Sequence, residues 1–190
     1  KVEDTLLVCF FVTCYMKQCL KIFLFILTLS NIYAQESQNT LAVLDFEGRG
    51  INALEAATLT DRFTSEIGKT ETMTLVDRTM VEEILKEQGF QQSGCTTDEC
   101  AVEVGALLGV QFMISGSIGK LGDTYTIDAK MVSVETGASV ETRNVTYIGK
   151  VDGLVTEIEI LAWDIMNLEP PLALKEKKRL GAQAFLAAQA

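Results

Sequence analysis

Five charged residues sit where two apolar runs end. Asp45, Glu47 and Arg49 lie at the end of the run 41–46 (LAVLDF), and Asp77 with Arg78 follows 73–76 (MTLV). If the two runs are parallel strands, they finish on the same side of the sheet. The five side chains then gather at one edge, where open α/β folds bind ligands. Gly48-Arg49-Gly50 ahead of a helix adds free backbone N–H groups of the kind that hold an anion. Neither a G-x-G-x-x-G fingerprint nor a phosphate loop accompanies it. The signal is weak, and loop charges with helix caps are the plainer account of the same residues. The candidate is a polar ligand edge.

Nothing else in the chain points to catalysis. The 190 residues contain no His, which excludes His-based triads and His-ligated metals. No nucleophile–base pair, metal cluster or cofactor motif occurs, so the expectation is a non-enzyme with no cofactor, no metal and no catalytic residue. Two cysteines, Cys95 and Cys100, lie in GCTTDECAVEVG, one in a loop and the other in the first turn of a helix. They are close enough to bridge, and closing so short a loop contributes about 2 kcal/mol through unfolded-state entropy. A zinc site needs about four ligands, and two Cys without His do not supply them. A helix N-terminus lowers a thiol pKa, which leaves a redox pair open, although the spacing is not Cys-x-x-Cys. Free thiols are the remaining alternative.

Compartment is legible at the N-terminus. Met16 to Lys21 is a short basic start, 22–29 (IFLFILTL) is an apolar core too short for a membrane span, and Ile32-Tyr33-Ala34 offers a cleavage site before Gln35. Residues 1–15 contain no Met and read as sequence upstream of the start. The alternative joins 6–15 to the core as an uncleaved anchor, but Lys17, Gln18 and Lys21 interrupt that run. No Cys follows the core at a lipobox-like position. An exported, periplasmic protein is expected, in a compartment that permits disulfides. The formal charge of −10 disfavours nucleic acid and anionic lipid headgroups as partners. Envelope proteins and further copies of the chain remain as partners, with membrane association peripheral or through sequence beyond residue 190.

The elements that must position these residues follow from periodicity. The run 41–46 is nearly continuously apolar, as in a strand covered on both faces. Residues 47–50 read as a loop. Asn52 with Glu55 signals a capped helix over 53–69, with Ala56, Leu59, Phe63 and Ile67 on one stripe. The strand 73–76 then completes a right-handed βαβ unit. Asp77 caps a helix closed by Gly89, and Thr96 with Glu99 caps another that packs through Cys100, Val104, Leu107 and Leu108 and stops at Gly109. From 109 to 149 alternation predicts an antiparallel three-stranded meander with one buried and one wet face. Residues 151–168 carry the cleanest helical stripe, with Trp163 on its flank. Pro170-Pro171 ends the domain, and 172–190 reads as a basic helical tail. The expected organisation is 1–34 leader, 35–168 α/β domain and 169–190 tail. The fold expected is a mixed sheet of about five strands with three to four packing helices on one side or partly on both.

The wording LAVLDFEG, then TDRFTSEIGKTETMTLVDRTMVEEILKEQGFQQSGC, then GVQFMISGSIGKLGDTYTIDAKMVSVETGASV resembles the periplasmic domain of the CsgG-like family of curli-secretion lipoproteins, over about residues 40–168. That resemblance implies an α/β domain shared with penicillin-binding-protein activators and with the N-terminal domain of TolB-like proteins. It implies an envelope role in assembly or secretion, as scaffold or adaptor at the outer membrane. The best-known member is an oligomeric channel whose barrel is built from long hairpins. Here the turn at Lys120-Leu121-Gly122-Asp123 is a few residues long, whereas a spanning strand needs about 9–11. The resemblance therefore carries fold and location, and a secretion pore stays the third alternative, requiring spanning segments outside residues 35–168. The alternative function is a small-ligand or peptidoglycan-associated binding domain using the Asp45–Arg49 edge.

Overall fold

Residues 39–89 and 97–187 are described by the computed structural model. The expected leader, its cleavage site and Cys95 lie outside the described residues. The first apolar run forms β1 (Thr40–Val43) and, after a break, β2 (Glu47–Arg49), both parallel to β4 (Phe112–Leu121). The break takes residues 44–46 on one side against Ser115 and Gly116 on the other, one residue more than the register needs. The segment expected as a loop at 47–50 thus holds a short strand. β3 (Thr74–Leu75) pairs with β1 in parallel, as the βαβ reading requires. β5 (Thr124–Ser133) and β6 (Ser139–Ile148) follow β4 in an antiparallel meander. The result is a mixed six-stranded sheet in the order β3-β1-β4-β5-β6, with β2 continuing β1 along β4.

The break has a visible cause. Phe46 turns toward α1 (Ala53–Lys69) and meets Phe63 with ring centroids 5.0 Å apart. Its ring lies over Gly116, where a Cβ would stand 3.0 Å from Phe46 Cε1 and 2.5 Å from the Asp128 carbonyl oxygen. The Phe46 N–H, lost to the ladder, donates to Thr60 Oγ1 at 3.0 Å, and that hydroxyl donates to the Ala56 carbonyl. A buried backbone donor is thereby satisfied, as it must be. α1 itself begins with the reciprocal Asn52/Glu55 capping box read from the sequence.

Helices cover both faces. α1 and α4 (Val151–Ile165) bury Leu59, Phe63, Leu154, Ile158, Leu161 and Ile165 against Leu41, Val43, Ile114, Ile118, Ile127 and Met131. On the other face, α2 (Arg78–Glu87) and α3 (Asp98–Leu108) bury Val81, Leu85, Ala101 and Val104 against Ala42, Leu44, Met113 and Val132. The meander's second face is therefore dry at one end, and wet only where α3 no longer reaches. α3 differs from its expected packing: Ala101, Val104 and Gly105 face the core while Leu107 is exposed. Gly105 allows this approach, since a Cβ there would lie 2.7 Å from Met113 Cγ. The cap is Thr97, whose hydroxyl accepts from the Cys100 N–H, and Thr96 lies outside the described residues. α5 (Leu172–Ala187) follows Pro170-Pro171 and lays Lys177 and Lys178 on Glu159 and Glu157 of α4. Among the described residues no helix is long and apolar enough to cross a membrane.

Candidate functional site

Of the five trailing charges, only Asp45 and Arg78 are brought together at that edge. Arg78, the first residue of α2, sets its Nη2 2.8 Å from the Asp45 carboxylate and its Nε 2.8 Å from Glu82, and it also pairs with Asp61 of α1. One guanidinium thus ties the break after β1 to α1 and α2. Burial pushes the Asp45 carboxyl above its ordinary pKa, against the pull of Arg78. Asp77 is committed as the cap of α2: its carboxylate accepts from the Thr79 hydroxyl and N–H, which together hold its pKa below the usual value. This cluster reads as a structural fastening, because every charge in it already has a partner.

Glu47 and Arg49 go elsewhere. β2 places both on the face opposite Phe46, where they pair with each other at 2.7 Å and the hydrogen bond from Arg49 lowers the Glu47 pKa. They rim a shallow concavity of about 190 Å³ on the sheet surface beyond α3. Strand register supplies its floor. Ser117 sits between Glu47 and Asp128, and Ser115 lies beside Lys130, with Thr142 next to it on β6. Asp98, at the start of α3, closes the far wall through a 3.0 Å ion pair with Lys130. Sequence reasoning missed Asp98, Asp128 and Lys130 as members of this group. Strand alternation had already turned Asp128 and Lys130 to the wet face, but nothing local links them to Glu47, 81 residues or more away in the chain.

The chemistry open to this surface is non-covalent. Mixed acids, bases and hydroxyls on a rigid sheet match a charge-paired or hydroxyl-rich partner. Among the described residues no group of three His, Cys, Asp or Glu is placed to hold a metal ion. Cys100 is disulfide-bonded. A second polar feature was invisible in the sequence: Glu66, Glu157 and Glu159 are buried between α1, α4 and α5. Glu159 accepts from Arg62 and Lys177, Glu157 from Lys178, and Glu66 from Lys69 and the Trp163 indole N–H. Trp163, on the flank of the last stripe, thus commits its indole N–H to an internal hydrogen bond.

Comparison with known proteins assigns the family. Residues 26–142 match the family model described as the peptidoglycan-synthase activator LpoB. Among solved structures the chain is similar to the LpoB C-terminal domain from Salmonella enterica, with a TM-score of 0.50 and 17 % identity over 61 % of this chain and 87 % of that one. It is likewise similar to LpoB from Escherichia coli (TM-score 0.50, 17 % identity, 57 % of each chain) and to lipoprotein GNA1162 from Neisseria meningitidis (0.50, 13 %, 58 % of this chain and 81 % of that). At these identities the structural likenesses establish the fold alone. No curated protein matches the sequence. The family match corrects the CsgG-like resemblance and with it the curli assembly and transport role. Within the wording that prompted the resemblance, Gly116 under Phe46 and Gly137 in the β5–β6 turn answer backbone needs of the fold, and a fold does not fix a function.

Proposed function

Because the chain belongs to the family of the peptidoglycan-synthase activator LpoB, we propose that it docks on a peptidoglycan synthase in the periplasm and raises its activity without catalysing a reaction itself. The observation that carries this reading is the family match over residues 26–142, which takes in β1 to β5, α1 to α3 and the start of β6. The mixed-charge concavity between Glu47, Arg49, Asp98, Asp128 and Lys130 supports it with a rigid polar surface suited to another protein. In this reading residues 1–34 are a leader, the mature chain works in the envelope at the outer membrane, and Cys95 is the partner of Cys100. Immobilised chain should retain a purified synthase from the same cell, and the double variant Arg49→Ala/Lys130→Ala should weaken retention at least tenfold. Equal retention by that variant would move the docking surface away from the concavity, and no retention by the parent chain would remove the reading.

A second reading is favoured by one feature, the hydroxyls of Ser117 and Thr142 interleaved with the carboxylate of Asp128 on the concavity floor. Carboxylates with hydroxyls also suit a glycan, so soluble peptidoglycan fragments are the alternative ligand. Titration of such fragments against the same double variant separates the two.

A further inference from the structure

β6 is the sheet's last strand, ten residues long, and among the described residues it packs on β5 and α4. Soluble proteins blunt such an edge with Pro, Lys or a short strand. The sequence SVETRNVTYI carries no Pro and no Lys, and its single acid and single base cancel in a chain of formal charge −10. The opposite edge, β3, has two residues.

Ladder parity tells which groups are free. The Gly149 N–H donates to the Asp123 carbonyl, so Gly149 faces β5. Register is continuous from Thr124 opposite Ile148 to Met131 opposite Glu141. In an antiparallel ladder the N–H and C=O of one residue point to the same neighbour and alternate along the strand. Tyr147, Val145 and Arg143 therefore bond inward, and Ile148, Thr146, Asn144 and Thr142 present their backbone groups outward, the Thr142 carbonyl already accepting from Arg143 Nη1 at 3.0 Å and keeping its second lone pair for a partner. The next residue, Val140, is bulged: Glu141 pairs with Met131 and Ser139 with Val132, leaving Val140 out of the ladder.

Two of the chain's exposed large apolar side chains are on this strand, Val140 at 48 % and Ile148 at 60 %. They stand symmetrically about Asn144, itself an outward-facing residue. We propose that β6 pairs antiparallel with β6 of a second copy of this chain about a two-fold axis at Asn144. That register sets Thr142 opposite the partner's Thr146, joins the two Asn144 amides, each of which both donates and accepts, and covers Val140 with the partner's Ile148 at both ends. Glu141 faces Tyr147 and Arg143 faces Val145, so no like charges meet. Shifting the axis to Arg143 would set two guanidinium groups face to face, and shifting it to Val145 would leave Val140 uncovered. A two-fold contact must be self-complementary, and of these three registers the one centred on Asn144 meets that demand best.

The test uses residues 38–190, the compact unit that contains both cores. Sedimentation across a concentration series should reveal a monomer–dimer equilibrium. Ile148→Lys and Val140→Lys should each weaken it about tenfold, since each change removes both apolar pairs of the dimer. Hydrogen exchange should slow at the Thr142, Asn144 and Thr146 amides as the concentration rises, with Arg143, Val145 and Tyr147 unchanged. Circular dichroism melting of the dilute variants, equal to that of the parent, keeps loss of pairing distinct from loss of fold. A monomer at every concentration, a dimer indifferent to both lysines, or exchange at the three outward amides that ignores concentration would each overturn the proposal. The assay contains no synthase, so its failure leaves the proposed activation untouched.

Discussion

Gly116→Ala tests the packing argument for the strand break. A methyl at this position would lie 2.5 Å from the Asp128 carbonyl oxygen and 3.0 Å from the Phe46 ring. The carbonyl belongs to the β4–β5 ladder, so retreat costs part of a hydrogen bond, about 1 kcal/mol. Retreat of Phe46 instead loosens its contact with Phe63, worth about 0.5–1.5 kcal/mol beyond area burial. Overpacking of a dense core costs about 1–3 kcal/mol in general. The loss of unfolded-state entropy returns about 0.4–1 kcal/mol. The net expectation, overpacking less that return, is destabilisation by about 1.3 kcal/mol. Urea unfolding of residues 38–190, followed by the fluorescence of Trp163, the single Trp in the chain, reads it directly. Gly181→Ala is the control. It lies in α5 with no neighbour within 4 Å of its added Cβ, and should stabilise by up to about 1 kcal/mol through helix propensity. If Gly116→Ala unfolds within about 0.5 kcal/mol of the parent, the break at residues 44–46 does not depend on the Phe46–Gly116 contact and the reasoning fails.

Three further outcomes are expected. Burial opposes ionisation of Glu159, but hydrogen bonds from Lys177 and Arg62 outweigh it and set its pKa below the ordinary 4.5. Its stabilisation is therefore present above that value and lost as pH falls through the folded pKa, so Glu159→Gln should flatten the acid limb of urea midpoint against pH; an unchanged limb would contradict the assignment. Asp45 works in the opposite sense, because its folded pKa lies above the ordinary 3.8: its contribution is present below that value and fades as pH rises through the folded one. Arg78→Ala should cost about 1–2 kcal/mol, because it strips a half-buried carboxylate of its counter-charge, and should raise the Asp45 pKa further in a carboxylate NMR titration. Cys100→Ser should lower stability by about 2 kcal/mol and expose one new reactive thiol if Cys95 is its partner; labelling at any other cysteine would reassign the bridge.

The fold was largely legible because its signals are local. The Asn52/Glu55 capping box, the stripe from Leu154 to Ile165 and the alternation from Tyr125 to Met131 each declare an element within a few turns of chain. What escaped was decided at a distance. Glu47–Arg49 becomes a strand only because Phe46 finds a glycine on β4, 70 residues on. Leu107 loses its place in the core to Gly105 because α3 sits close on Met113. The candidate edge divided for the same reason: the break rotates Glu47 and Arg49 away from Asp45 and Arg78, and no sequence pattern records that rotation. The family was misread because wording such as Gly116 and Gly137 answers what the fold requires, and a fold does not fix a task.

The central claim is activation of a peptidoglycan synthase, and the direct measurement is the rate of glycan-strand polymerisation by a purified synthase from the same cell, with and without the mature chain. The account predicts a saturable increase that the Arg49→Ala/Lys130→Ala variant reaches only at higher concentration. A rate unchanged at every concentration of folded chain would contradict it.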